Sequence, residues 1–147
     1  MTNPMLVAGW QPSTDAERAA LRDAFPEVNP GHWPTGELVL VQVRSPKRKT
    51  KGGIIMVDDA RDTEKWNTQT AKVIALGPLA YHNKTNLTPW PEGPWCKPGD
   101  FVRVRMHGTD RFVVQHGDGD EALFMLVRDH EVLAHVTSNP LDVKAYI

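Results

Sequence analysis

The chain has 147 residues, 40% of them hydrophobic and 24% charged, with a formal net charge of -1. That length favours one domain with a real core and room for an appended arm, and the near-neutral charge argues against a dedicated nucleic-acid binder, whose footprint would be basic. A single cysteine, Cys96, excludes an internal disulfide and fits a reducing compartment. No run approaches the length needed to cross a bilayer, and the opening "MTNPMLVAGWQPSTD" lacks the basic start and long apolar run of a signal peptide. A soluble, cytoplasmic protein is the expectation.

Residues 1–36 read as an arm. "STDAERAALRDAFP" predicts one short helix, with Thr14 and Glu17 as a capping box and Pro26 as the stop. Ala20, Leu21, Ala24 and Phe25 give it one modest apolar face. Together with Trp10 and Trp33 these are too many apolar groups for a free tail, so the arm is expected to dock, on its own body or on a neighbouring subunit.

The body, residues 37–136, reads as all-β. "ELVLVQV" (37–43) is a buried-strand run between Gly36 and Pro46, and "TAKVIALG" (70–77) is a second strand ending at a glycine. "DFVRVRM" (100–106) alternates, with Val102, Val104 and Met106 on one face and Phe101, Arg103 and Arg105 on the other. His107-Gly108-Thr109-Asp110 is turn chemistry, so "RFVVQ" is expected to return as the hairpin partner of that strand. "EALFMLV" and "EVLAHV" follow, separated by Arg128-Asp129-His130. Short strands at this spacing with no helix between them predict a small barrel or sandwich. Residues 78–96 form a long Pro/Trp-rich loop, since proline at that density forbids a central strand, and 137–147 form a tail.

No catalytic or metal-binding pattern emerges. The six histidines are scattered, and none has a metal-ligand spacing. Cys96 lacks any local signature of a nucleophile and reads as a buried thiol. "HGDGDE" (116–121) lacks the remaining positions of a calcium loop and reads as a tight turn. No phosphate-binding glycine loop occurs. Neither enzymatic activity, nor a cofactor, nor a metal, nor a membrane partner is expected.

One segment resists a plain structural reading. "KRKTKGGIIMVDDARD" (47–62) sets an undiluted apolar plug, Ile54-Ile55-Met56-Val57, behind Gly52-Gly53 in a polar surround. A strand would alternate, and a helix would not open on two glycines. Read from the residues alone, an ordinary short strand is the blander choice.

Four stretches in order decide otherwise. "VLVQVRSPKRKTKGGIIMVDD", "TAKVIALG", "KPGDFVRV" and "ALFMLVRDHEVLAHV" together resemble the GroES-type co-chaperonins over roughly residues 37–77 and 97–136. The resemblance implies a GroES-like β-barrel with a mobile loop at about 45–69. It implies that Gly52, Gly53, Ile54, Ile55 and Met56 bind a GroEL-type chaperonin, which itself holds the ATP. It further implies a homo-oligomeric ring, a heptamer by family expectation, in which the final strand 131–136 pairs with strand 37–43 of a neighbour. The family's usual Pro-Leu-x-Asp-Arg opening is missing, 78–96 replaces its roof hairpin, and the arm and tail are additions. Divergence of this kind looks like the co-chaperonins that bacteriophages carry. The alternative is a structural ring or decoration subunit of a virion or other large assembly that reuses the fold.

Overall fold

The computed structural model describes residues 9–44, 69–106, 108–117 and 120–142. One helix, α1 (Asp15–Ala24), precedes six strands: β1 (Leu38–Val43), β2 (Thr70–Leu76), β3 (Phe101–Val104), β4 (Asp110–His116), β5 (Asp120–Arg128) and β6 (Val132–His135). They form a single sheet in the order β4-β5-β1-β2-β3-β6, antiparallel at every pairing. This is the mostly β, GroES-like architecture that the sequence implies.

The unbroken apolar run of β1 follows from its central place. Val39, Val41 and Val43 point into a core shared with Val73, Val102, Val104, Met125, Val127 and Val132. Side chains from β1, β2, β3, β5 and β6 thus meet in one cluster, and the sheet wraps around it. Leu40 points the other way, into a second cluster with Ala75, Ala122 and Phe124, onto which Val28 of the arm packs. A strand covered on both faces has no reason to alternate.

Two pairing expectations are corrected. "RFVVQ" does not return against 100–106: β4 pairs with β5, with His116 facing Asp120, while both edges of β3 are taken by β2 and β6. The ladder leaves β3 at Arg105, whose N–H donates to Glu131 O (3.0 Å), and the Gly108 turn (φ 53°) sends the chain on to its nearest partner instead. Likewise 131–136 does not pair with 37–43. β6 lies along β3 of its own chain, and β1 is flanked by β2 and β5, so a neighbour would find no open edge there. The sheet ends are β4 and the far side of β6.

Helix α1 forms where expected. Thr14 Oγ1 accepts the Glu17 N–H at 3.1 Å. The Glu17 carboxylate reaches one residue further back than a standard capping box, accepting from Ser13 N (3.2 Å) and Ser13 Oγ (2.9 Å). Ala24 and Phe25 bury against Phe101 and Val136, with Leu21 and Leu141 at the margin. The Phe25 and Phe101 rings meet edge to face at 5.3 Å. Beyond the helix, Pro26 O accepts from Nε2 of the buried Gln42 (2.8 Å), and His32 lies over Phe112 at 4.0 Å. Trp33 stays 75% exposed and joins no apolar cluster among the described residues.

Candidate functional site

The plug residues Gly52, Gly53, Ile54, Ile55 and Met56 lie outside the described residues, but the base from which their segment springs is well defined. Val43 at the end of β1 and Ala71 at the start of β2 are cross-strand partners. Opposed Cα atoms in such a ladder are about 5 Å apart, so the segment leaves and re-enters the sheet at one point. Both stems are fastened. Arg44 Nη1 donates to Leu141 O at 3.4 Å. Gln69 Nε2 donates to Val104 O (2.9 Å), its Oε1 accepts from Arg103 Nη2 (2.9 Å), and its backbone carbonyl accepts from Val104 N (2.9 Å).

The 78–96 loop is built into the body. It starts at Gly77, which needs to be glycine: a Cβ there would stand 2.5 Å from Gly36 O and 2.8 Å from Leu38 O. Tyr81 is fully buried, with Trp90 and Trp95 both 5.4 Å from its ring and 5.1 Å from each other. Cys96 lies beneath, its sulfur 3.5 Å from the Tyr81 hydroxyl. Burial pushes the Cys96 thiol up to about 11, only partly offset by the Tyr81 hydrogen bond, and burial pushes the Tyr81 phenol up as well. A thiol held protonated is no nucleophile, as the sequence suggested.

What fixes the loop is a residue that sequence reasoning passed over. Asp129 is 1% exposed and sits in the turn between β5 and β6. Its Oδ2 accepts from Tyr81 N (2.9 Å) and from Lys84 Nζ (2.7 Å), and Oδ1 accepts from His130 N (2.8 Å). Burial alone would raise its pKa, but the Lys84 and Tyr81 hydrogen bonds outweigh it and hold the carboxyl below the ordinary range. Lys84 also donates to Leu79 O (2.9 Å) and His82 O (2.7 Å), so its three N–H groups are all used. No spacing rule links residues 45 apart, and "RDH" between two strands reads as a polar separator. Lysine within a Pro/Trp-rich loop was the one available signal.

Glu37, Asp129 and His130 form the group of potential metal ligands among the described residues. The Lys84 ammonium, 2.7 Å from Asp129 and 3.9 Å from Glu37, already supplies the cation there. His32, His82 and His116 lie elsewhere, His107 is outside the described residues, and His135 hydrogen-bonds through Nε2 to Trp95 O. No helix among the described residues is long and apolar enough to cross a membrane.

The architecture is that of a small antiparallel β domain in which β1 and β2, braced at Arg44 and Gln69, flank the segment that holds the apolar plug of the sequence. The comparisons name the class. Residues 32–136 match the family described as Chaperonin 10 Kd subunit. The co-chaperonin GroES of Methylacidiphilum infernorum is 32% identical over 107 residues, covering 73% of this chain and 95% of that protein. The co-chaperonin GroES of Caulobacter vibrioides is 30% identical over 93 residues, 58% of this chain and 88% of that protein. The chain belongs to the Cpn10/GroES co-chaperonin family, whose members are not enzymes. The family match begins at residue 32, so helix α1 lies outside it.

Proposed function

We propose that the protein is a co-chaperonin that caps a GroEL-type chaperonin, acting in the cytoplasm as a homo-oligomeric ring, a heptamer by family expectation. The observation that carries this reading is the family match over residues 32–136, which encloses the Gly52-Gly53-Ile54-Ile55-Met56 plug. Nucleotide binds the chaperonin, not this chain.

Magnitudes explain why a ring is needed. Fully burying Ile54, Ile55 and Met56 yields about 1.5–3 kcal/mol each. Ordering their segment costs about 1–2 kcal/mol per residue in backbone entropy. One copy therefore binds weakly. Once the first docks, the others bind at high effective concentration, so a lid can hold tightly as a whole and still release. The stems at Arg44 and Gln69 support this by confining the cost to the segment between them.

Ile55→Asp tests it. Each copy would then place a carboxylate where an apolar groove expects a side chain, at a cost of several kcal/mol per site. Co-sedimentation with a GroEL-type chaperonin and nucleotide should be abolished, while native mass and melting temperature stay those of the wild type. A wild type that ignores chaperonin, with a variant that loses mass or melts early, would assign the plug to a fixed structural interface, as in a virion-type ring subunit.

A further inference from the structure

Where helix α1 lies against the body, the two surfaces do not close. A cavity of about 290 Å³ remains between the helix, β2 and the turn that leads into β3. This is just under the range of about 300–1,000 Å³ for small-molecule pockets, room for a small ligand only. Its floor is apolar, made by Leu21, Phe25 and Phe101, the latter two buried. Its charged lining is uneven. Lys97 and Asp100 neutralise each other at 2.9 Å. Arg22 and Lys72 remain, with no carboxylate partner among the described residues, against the single carboxylate of Glu27. The balance is one positive charge beside an apolar floor. Because half of this lining comes from residues 11–27, which precede the family match, the cavity belongs in part to this chain's own addition.

We propose that this cavity is a binding site for a small organic monoanion with a flat apolar body, such as an aromatic carboxylate or sulfonate. The anionic head pairs with Arg22 and Lys72, and the ring lies on Leu21, Phe25 and Phe101. Arg22 suits a planar oxyanion because its guanidinium presents two parallel N–H donors. Glu27 opposes a second negative charge, so inorganic phosphate, which also lacks a body to cover the floor, is disfavoured. A ligand here would bridge arm and body and so tie the arm down.

The probe is 8-anilinonaphthalene-1-sulfonate, titrated by fluorescence into the full-length protein. Saturable binding at one site per chain is expected, displaced by benzoate and not by equimolar phosphate. The double variant Arg22→Glu/Lys72→Glu should weaken the probe by about tenfold or more, and Glu27→Gln should tighten it about threefold. All three side chains are solvent-accessible, so the melting temperature should hold and serves as the control on folding. Glu27→Gln keeps the test decisive if the double variant is unstable. Absence of saturable binding overturns the site. So does binding indifferent to all three charges, which is what dye adhering to exposed Trp33 or Leu133 would give. Displacement by phosphate but not by benzoate would overturn the assignment of an apolar body.

Discussion

The 78–96 loop lies inside the family match and helix α1 of the N-terminal arm lies outside it, and the two attach to the body in opposite ways. The loop has almost no regular structure. A lone bridge, His82 to Pro89, crosses it, and Tyr81 (φ 61°) and Leu87 (φ 64°) hold left-handed conformations that such side chains resist. Yet it contributes Ala80, Tyr81 and Cys96 to the main core and hangs on a buried carboxylate. The arm contains a well-capped helix, but that helix buries only Ala24 of its ten residues, with Phe25 at its end. Regularity therefore says little about attachment. What decides it is how much apolar surface a segment buries and which buried polar groups it satisfies.

Asp129→Ala should break the loop's side of this contrast hardest. It strands the Tyr81 N–H in the interior and leaves Lys84 without its closest counter-charge. Removing one partner of a buried, hydrogen-bonded pair costs about 3–5 kcal/mol, and the partial exposure of Lys84 favours the lower end. At about 2–4 °C per kcal/mol for a chain of this size, the melting temperature should fall by roughly 10 °C. Because the loop shares the main core, the loss should be global, with unfolding still in one transition. A fall of only a degree or two would mean that the aromatic cluster alone fixes the loop.

Phe25→Ala should show the arm's different standing. A buried Phe→Ala costs about 3–5 kcal/mol in a core, but a segment that can open by itself pays it locally. Amide hydrogen exchange in Asp15–Ala24 should accelerate by about a hundredfold, while β1 and β2 amides and the global melting temperature hardly move. Equal acceleration in the strands would show that arm and body unfold as one unit and would erase the contrast.

The same contrast explains which parts of the fold could be read from the residues. All six strands were legible because short apolar runs end at punctuation such as Gly36, Gly77 and Gly108, and the helix because Thr14, Glu17 and Pro26 bracket it. These are local signals. Strand pairing was not legible. The turn at 107–110 suggested a hairpin between 100–106 and "RFVVQ", but which edges were already taken depends on strands up to 90 residues apart, such as Leu38 and Arg128. The Lys84–Asp129 lock was invisible for the same reason, its partners being 45 residues apart with unremarkable neighbours. The plug reading rests on resemblance alone, since four apolar residues after Gly52-Gly53 fit a strand equally well and the segment lies outside the described residues.

Acid should separate the two regions next. The Asp129 carboxyl is held below its ordinary value of 3.8, so its contribution is complete above that value and is lost as pH falls through the lower folded value. The melting temperature should hold down to about pH 4 and then drop, with the loop's lock failing as the carboxylate takes up its proton. Asp129→Asn should start lower and lack this component, so the gap between the two curves closes in acid. A constant gap down to pH 2 would mean that the carboxylate gains nothing from its charge. The apolar contacts of Phe25 with Phe101 carry no such dependence, so exchange in α1 should not follow the same curve.

The smallest effect should come from the helix cap, and it bears on why the arm's regularity counts for so little. Thr14 Oγ1 satisfies the N–H of Glu17, one of four at the helix start that lack an intrahelical partner. Replacing such a cap with alanine costs about 1 kcal/mol. Ser13 keeps its two hydrogen bonds to the Glu17 carboxylate, so the first turn retains one tether. Thr14→Ala should therefore accelerate exchange in Asp15–Ala24 by about fivefold, well short of the hundredfold expected for Phe25→Ala. The comparison of the two variants is the informative quantity. If burial of Phe25 holds the arm, the cap adjusts how well the helix is formed but not whether it stays docked, and limited proteolysis near residue 26 should cut Phe25→Ala quickly and Thr14→Ala at close to the wild-type rate. Equal cutting of both would mean that helix formation and docking are a single step, because an uncapped helix could no longer present Ala24 and Phe25 to Phe101 and Val136.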